Sequence, residues 1–187
     1  MASAMASDTD VSKFMSLVLR HAPEKAGITL DEAGWADFPT LCSAIDSAFG
    51  VSQSEVRRIV DENAKKRFVI SENRIRAAQG HSVTVDLGLV PSSPPERLFH
   101  GGKASNLDAI MAEGLTKGER NHVHLSVDRE TAERVAARRK GESVIFEVSA
   151  RKMQQAGAEF FLSENGVWLT DAVPSRYLTP ISEPVRP

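Results

Sequence analysis

Arg120-Asn-His-Val-His-Leu-Ser126 is the segment around which the rest of this chain can be arranged. Within it His124-Leu-Ser126 alternates polar and apolar side chains, as a strand half exposed to a cleft does. Arg120 and His122 stand where the chain enters that strand. Two imidazoles, a guanidinium and a hydroxyl in so short a space form a polar cluster that is costly to bury. A solvated loop leading into an edge strand would carry similar residues, so the other histidines are needed to decide. There are five in all, His21, His81, His100, His122 and His124, each in a polar cluster with Arg, Gly or Ser and none in an apolar stripe. That distribution suits the binding of anions and sugars better than core packing.

Working outward from this segment, Arg97-Leu-Phe-His100-Gly101-Gly102 reads as a strand running into glycines. Such a place lets a pyrophosphate or sugar come close to the backbone, with His100 beside it, although His-Gly also suits a plain turn. The spacing predicts a helix from about Asn106 to Glu113, stopped by Gly114. A second helix is expected from about Arg129 to Arg139, with Ala132, Val135 and Ala136 inward. Ser143 to Ser149 and Phe160 to Leu162 read as strands, and Val167 to Thr170 as the last one, ahead of Val173-Pro-Ser-Arg-Tyr-Leu178. Strands outnumber helices and no βαβ rhythm is present, so residues 96–180 are expected to form an α+β lobe with a mostly antiparallel sheet.

The N-terminal part has a different texture. Val11 to Ala22 reads as an amphipathic helix with Phe14, Leu17, Val18 and His21 on one face, capped by Asp10 or Ser12 and stopped by Pro23. Arg20 and His21 fall in its last turn, where cations offset the helix dipole by roughly 0.3–1 kcal/mol, a purely structural use that competes with any functional one. Ile28, Leu30 and Trp35 are expected in a small core. Asp37 reads as the cap of a second helix with Pro39 in its first turn, and Ser52 with Glu55 as a capping box opening a third. Arg67 to Ile70 and Arg74 to Ala77, joined by Ser71-Glu-Asn73, form a hairpin. Three helices and a terminal hairpin over residues 11–82 resemble a winged helix, a fold that does not settle function by itself. Residues 83–95, rich in Pro and Ser, read as a link between lobes, and residues 1–10 and 181–187 as tails.

Composition excludes several classes. A hydrophobic fraction of 41% with 26% charged residues is ordinary for a globular protein. No apolar run approaches the roughly 20 residues a membrane helix needs, and the N-terminus lacks the basic start and apolar stretch of a signal peptide. A single cysteine, Cys42, leaves no intramolecular disulfide and no cysteine-cluster zinc site, so a reducing, cytoplasmic setting and no metal are expected. The net charge of -2 makes the whole surface no attractor of nucleic acid. Yet between Arg57 and Arg76 seven basic residues face three acidic ones, a local surplus on the third helix and hairpin that suits phosphate contacts of unspecified kind.

Taken together, several blocks resemble the RNA 2'-phosphotransferase family. They are Leu19-Arg-His-Ala-Pro23, Asp31-Glu-Ala-Gly-Trp35, Lys66-Arg-Phe68, Ile75-Arg-Ala77 with Gln79-Gly-His-Ser82, His100-Gly101, His122-Val-His-Leu-Ser126 and Gly166-Val-Trp-Leu169. They run in family order from about residue 11 to residue 178. Two positions depart from the pattern: Gly102 where members often have Thr or Val, and Ala78 within what is commonly Arg-Ala-Asn-Gln-Gly-His. Neither removes a charged group.

The resemblance implies an N-terminal winged-helix lobe, a C-terminal lobe of ADP-ribosyltransferase fold, and NAD as co-substrate. In the implied reaction the 2'-phosphate of an RNA attacks the NAD ribose and expels nicotinamide. The ribose 2''-hydroxyl then attacks phosphorus, giving 2'-hydroxyl RNA and ADP-ribose 1''-2'' cyclic phosphate, chemistry associated with tRNA splicing and RNA repair. By motif match Arg20, His21 and Arg67 grip the phosphate, and His100, Gly101 and Ser126 line the NAD pocket. Arg120 is the choice for a third arginine, with Arg138 as runner-up. A monomer acting on RNA, without membrane or metal, is expected. Two alternatives stay open at this point: an ADP-ribosyltransferase acting on another acceptor, for which Glu164 keeps the idea alive, and a non-catalytic winged-helix RNA binder.

Overall fold

The computed structural model describes residues 6–138 and 140–181. The chain divides into two compact units, Met1–Gly88 and Leu89–Pro187. Arg139 and residues 182–187 of the expected C-terminal tail lie outside the described residues, as do residues 1–5 of the N-terminal one.

In the first unit α1 (Asp8–Arg20) begins ahead of the expected Val11, so residues 7–10 are not a tail. The reason is local: Ser7, with extended backbone, accepts a hydrogen bond from the Asp10 N–H through its side chain, which caps the helix three residues earlier than Asp10 would. A short strand β1 (Ala36–Asp37) leads into α2 (Phe38–Phe49), where Asp37 is the N-cap as its sequence context predicts. α3 (Gln53–Asp61) opens with the full Ser52/Glu55 capping box. β2 (Phe68–Ser71) and β3 (Arg74–Ala77) form the predicted hairpin, and β1 joins it to give an antiparallel sheet of order β1-β3-β2. Val11, Met15, Val18, Leu19, Phe38, Leu41, Ile45, Val56 and Ile75 fill the core between the helices and this sheet.

One expectation for this unit is corrected, and one is refined. Trp35 is only half buried, because the Arg74 and Arg76 guanidiniums cover its ring at 5.1 and 4.6 Å from the centroid. The 83–95 stretch is shared between the units: the Asp86 N–H donates to the Glu32 carbonyl and Arg76 reaches the Leu87 carbonyl in the first, while the Ser92 N–H donates to the Phe160 carbonyl in the second.

The second unit holds β4 (Leu98–Lys103), α4 (Leu107–Glu113), β5 (Leu115–Thr116), β6 (Val123–Leu125) and α5 (Arg129–Ala136). These are followed by β7 (Ser143–Val148), α6 (Ala150–Gln155), β8 (Phe161–Leu162), β9 (Trp168–Thr170), β10 (Ala172–Val173) and β11 (Leu178–Pro180). Two three-stranded antiparallel sheets, β11-β7-β4 and β6-β9-β8, carry the architecture, and β5 pairs with β10. Phe99 and Ser126 join the two larger sheets by a pair of backbone hydrogen bonds of 2.9 and 2.7 Å. All pairings between these strands are antiparallel, as expected for an α+β unit.

The strand expected to be last, at Val167 to Thr170, is followed by two more, and α6 was not foreseen. β11 is short and contains Pro180, so its apolar pattern is too brief to read; only its pairing with β7 makes it a strand. β7 lies at the centre of its sheet with Val144, Ile145 and Phe146 all buried, because α5 covers one face and the main core the other. Ala132 and Ala136 are the inward residues of α5, whereas Val135 is exposed.

Candidate functional site

Most of the sequence-predicted residues lie in two places, one in each unit, and Gly101, Ser126 and Arg138 lie outside them. In the first, α1 ends at Arg20, and the segment after β3 returns to meet it. The Ser82 and Val83 N–H groups both donate to the Arg20 carbonyl, at 2.9 and 3.3 Å. Arg20 Cζ lies 6.0 Å from the centroid of the Phe68 ring, next in sequence to Arg67, and Arg67 Nη1 donates to Ser12 Oγ on α1 at 3.5 Å, so all three residues lie on or against α1. His21 is exposed, with Nδ1 2.9 Å from Ser82 Oγ. His81, not among the predicted site residues, is 2% exposed beneath them. Burial first, then the Arg20, His21 and Arg76 charges, push its imidazole down to about 4, so it is neutral at pH 7.

The basic surplus of this unit is less available than its sequence suggests. Arg58 is held by Asp8 and Glu62, Lys66 donates to the Asp61 carbonyl, and Arg74 pairs with Asp31. Arg76 donates towards the Ala33 and Leu87 carbonyls. These side chains tie helices, hairpin and loops together, a use that charge counting along the sequence cannot separate from phosphate binding.

In the second unit a cleft of about 440 Å³ is lined by His100 and Gly102 from β4, Ile110 and Glu113 from α4, and Arg120, His122 and His124 at β6. Strand alternation explains the selection: His100 and Gly102 share one face of β4, and His122 and His124 one face of the chain entering β6. The His124 carbonyl can only accept, so His100 Nδ1 donates to it at 3.0 Å, and in the neutral ring Nε2 is then the acceptor nitrogen. A guanidinium can only donate, so Arg120 Nη1 donates to His124 Nδ1 at 3.3 Å. His124 therefore joins Arg120 through its side chain and His100 through its backbone. His122 packs on Phe161 with centroids 5.6 Å apart, and burial lowers its pKa, with Lys117 adding to the effect and Asp171 opposing it. The clustering of Arg120, His122 and His124 within a few residues is the sequence signal for these positions, whereas the expected alternation His124-Leu-Ser126 does not carry Ser126 into the cleft.

Gly101 occupies the other face of β4. A Cβ there would stand 2.6 Å from the Ala132 carbonyl and 2.8 Å from Ala136 Cβ, so close approach of α5 explains the absence of a side chain. At Gly102, on the cleft face, a Cβ would meet Phe146 at 3.2 Å and Ile110 at 3.4 Å. Ser126 joins the two sheets through its backbone and is not among the residues lining the cleft. Arg138 follows α5 in an exposed turn and is not among them either. Among the described residues no group of three or more His, Cys, Asp and Glu side chains is placed to hold a metal ion, and no helix is long and apolar enough to cross a membrane.

An α+β chain that sets arginines and histidines in one cluster and in one cleft is suited to anionic ligands. Comparison with known proteins makes this specific. Residues 6–172 match the family model described as RNA 2'-phosphotransferase, Tpt1 / KptA family. A probable RNA 2'-phosphotransferase of Rhizobium rhizogenes is 54% identical over 174 residues, covering 93% of this chain and 94% of the relative. Proteins with the same description from Hahella chejuensis and Streptomyces coelicolor are each 50% identical, covering 90% of this chain and 91% and 92% of their own lengths. The chain belongs to the RNA 2'-phosphotransferase family.

Proposed function

We propose that this transferase removes an internal RNA 2'-phosphate with NAD as co-substrate, in the setting of tRNA splicing or RNA repair. The first unit acts as a winged-helix lobe whose Arg20, His21 and Arg67 hold the phosphate. The second acts as an ADP-ribosyltransferase-like lobe whose His100 seats the dinucleotide in the cleft, with Gly101 and Ser126 supporting it from behind through the close approach of α5 and the backbone join to Phe99, and Arg120 supplies a further positive charge. The observation that carries this reading is the cleft at β4 and β6, where an imidazole with a fixed tautomer lies in the same hydrogen-bonded chain as an arginine. Its volume of about 440 Å³ is in the range of small-molecule sites. Its residues suit a dinucleotide: His100 can accept from a ribose hydroxyl, and Lys103 and Arg120 can face a pyrophosphate.

The reaction follows from these charges. A phosphate oxygen of the RNA bonds to the anomeric carbon of the ribose while the bond to nicotinamide breaks, and nicotinamide leaves neutral with the bonding pair. The phosphate is anionic already, so no base is required to create this nucleophile. The ribose 2''-hydroxyl then loses its proton and attacks phosphorus, and the RNA 2'-oxygen departs and gains a proton. Negative charge spreads over the phosphoryl oxygens in this second step, which positioned guanidiniums and an imidazole stabilise without a metal.

Nicotinamide release is the decisive measurement. It is expected with 2'-phosphorylated RNA, undiminished in excess chelator, and absent with the same RNA lacking the phosphate. Release that depends on a protein acceptor instead, or none with any acceptor, would overturn the assignment. Collapse of activity in chelator would overturn its metal-free form.

A further inference from the structure

We propose that Ser82 is a positioning residue for His21: its hydroxyl holds Nδ1 so that Nε2 is the nitrogen presented to the RNA phosphate. This rests on the reading of His21 as a phosphate ligand.

His21 follows the last residue of α1, is exposed, and has left helical geometry at φ −131° and ψ −40°. A side chain in that position has rotamer freedom that must be lost before it can hold an anion in one geometry. Residues 80–83 restrain it. Gly80, at φ +91°, turns the chain along the Arg20 guanidinium, against which a Cβ would rest at 3.6–3.7 Å. His81 sinks into the unit at 2% exposure, and the Ser82 and Val83 N–H groups close on the Arg20 carbonyl. The segment is thereby anchored on both sides of Ser82. Ser82 Oγ then stands 2.9 Å from His21 Nδ1 across 61 residues of sequence.

The direction of that bond follows from the chemistry of a phosphate, which offers only acceptors. To bind it, Nε2 must carry hydrogen. In a neutral imidazole the hydrogen then cannot be on Nδ1, so the Ser82 hydroxyl donates to Nδ1. In an imidazolium both nitrogens carry hydrogen and the same hydroxyl accepts. In either state the contact fixes the edge of the ring that faces Ser82, so Nε2 is turned the other way. Threonine carries the same hydroxyl, whereas alanine carries none.

The test combines a spectroscopic and a kinetic readout on the full chain. In protein labelled with 15N-histidine, the His21 ring nitrogens of the neutral form are expected to report hydrogen on Nε2. Ser82→Ala should move the Nδ1 signal, since its hydrogen bond is lost, and Ser82→Thr should restore it. With 2'-phosphorylated RNA, Ser82→Ala should slow phosphate removal roughly 10-fold, the scale of one lost hydrogen bond, and Ser82→Thr should recover most of the rate. In a His21→Ala background Ser82→Ala should add nothing, since Ser82 acts through that ring. If His21→Ala turns over too slowly to follow, affinity for the same RNA closes the cycle. Unchanged ring signals in Ser82→Ala, or a full additional loss in the His21→Ala background, would overturn the proposal. Full activity of His21→Ala would overturn the phosphate role of His21, while the nitrogen signals would still decide whether Ser82 holds the ring.

Discussion

The two units use the same residue types in opposite ways. In the first, cationic side chains are fixed by the protein's own framework: Arg74 and Arg76 on Trp35, Arg58 between Asp8 and Glu62, Arg20 over Phe68. A buried neutral imidazole, His81, completes the packing beneath them. In the second, the polar groups of the cleft fix one another, His100 on the His124 carbonyl and Arg120 on the His124 ring, while glycines set how closely the surrounding elements approach. Charge held in place before a ligand arrives stabilises a polyanion without reorganisation. Fixed tautomers and close backbone packing suit recognition of a neutral sugar and a ring. The contrast predicts that damage to the first unit reaches phosphorus chemistry, and that damage to the second, Arg120 excepted, reaches seating of the co-substrate.

The largest effect that can break this contrast comes from the arginines. Removing a preorganised donor costs about 2.7–4 kcal/mol in the transition state, or roughly 100–1,000-fold in rate. Arg67→Ala and Arg120→Ala are expected to lose that much in the second step and to accumulate RNA bearing 2'-phospho-ADP-ribose. His100→Ala should lower both steps. A time course with end-labelled RNA, resolving substrate, adduct and product, separates them. If substrate merely disappears slowly and no adduct forms, the arginines act in binding or in the first step. An adduct from Arg138→Ala but not from Arg120→Ala would move the third arginine to the exposed turn after α5.

Next in size is the acid response of the first unit. His81 is depressed to about 4 in the folded chain against 6.5 for the unperturbed group. Its stabilising contribution is therefore complete above pH 6.5 and lost as pH falls towards 4, because the unfolded chain binds the proton first. At 1.36 kcal/mol per pH unit the full loss is about 3 kcal/mol. Denaturant melts from pH 7 to pH 4 should show this slope, and His81→Leu should flatten it. An unchanged slope would place the acid sensitivity elsewhere.

Gly101→Ala is a smaller perturbation of the second unit. The new methyl would drive into the Ala132 carbonyl and Ala136, and overpacking of this kind typically costs about 1–3 kcal/mol. Gly102→Ala, whose neighbours at 3.2 and 3.4 Å are the tips of side chains, should cost less and alter co-substrate affinity more. Thermal melts and an affinity titration distinguish the two. Equal destabilisation at both positions would mean that α5 yields to the added methyl.

Much of the local structure could be read in advance because it depends on neighbours in sequence. The Ser52/Glu55 box, the Asp37 cap and the Arg67-to-Ala77 hairpin are each specified within a few residues, and each appears where expected. Elements whose existence depends on a distant partner were missed or misread. β11 is a strand through its pairing with β7, and Trp35 is half buried through two arginines about 40 residues away in sequence. The polar cluster from Arg120 to Ser126 announced a polar face, but nothing in it showed which imidazole meets Arg120 and which meets Phe161, or that Ser126 stays off the cleft.

By itself the sequence determined the α+β class, the helix caps, the hairpin and, through blocks in fixed order, the family to which the chain belongs. These follow from periodicity, capping chemistry and residue identity, all of which are local or additive along the chain. Tertiary structure alone decided which of seven basic residues are structural ties, that His81 is buried and neutral, that Gly101 answers to a helix, and that Ser82 reaches His21. Each of these depends on the distance between groups far apart in sequence. Charge, burial and tautomer are properties of such distances.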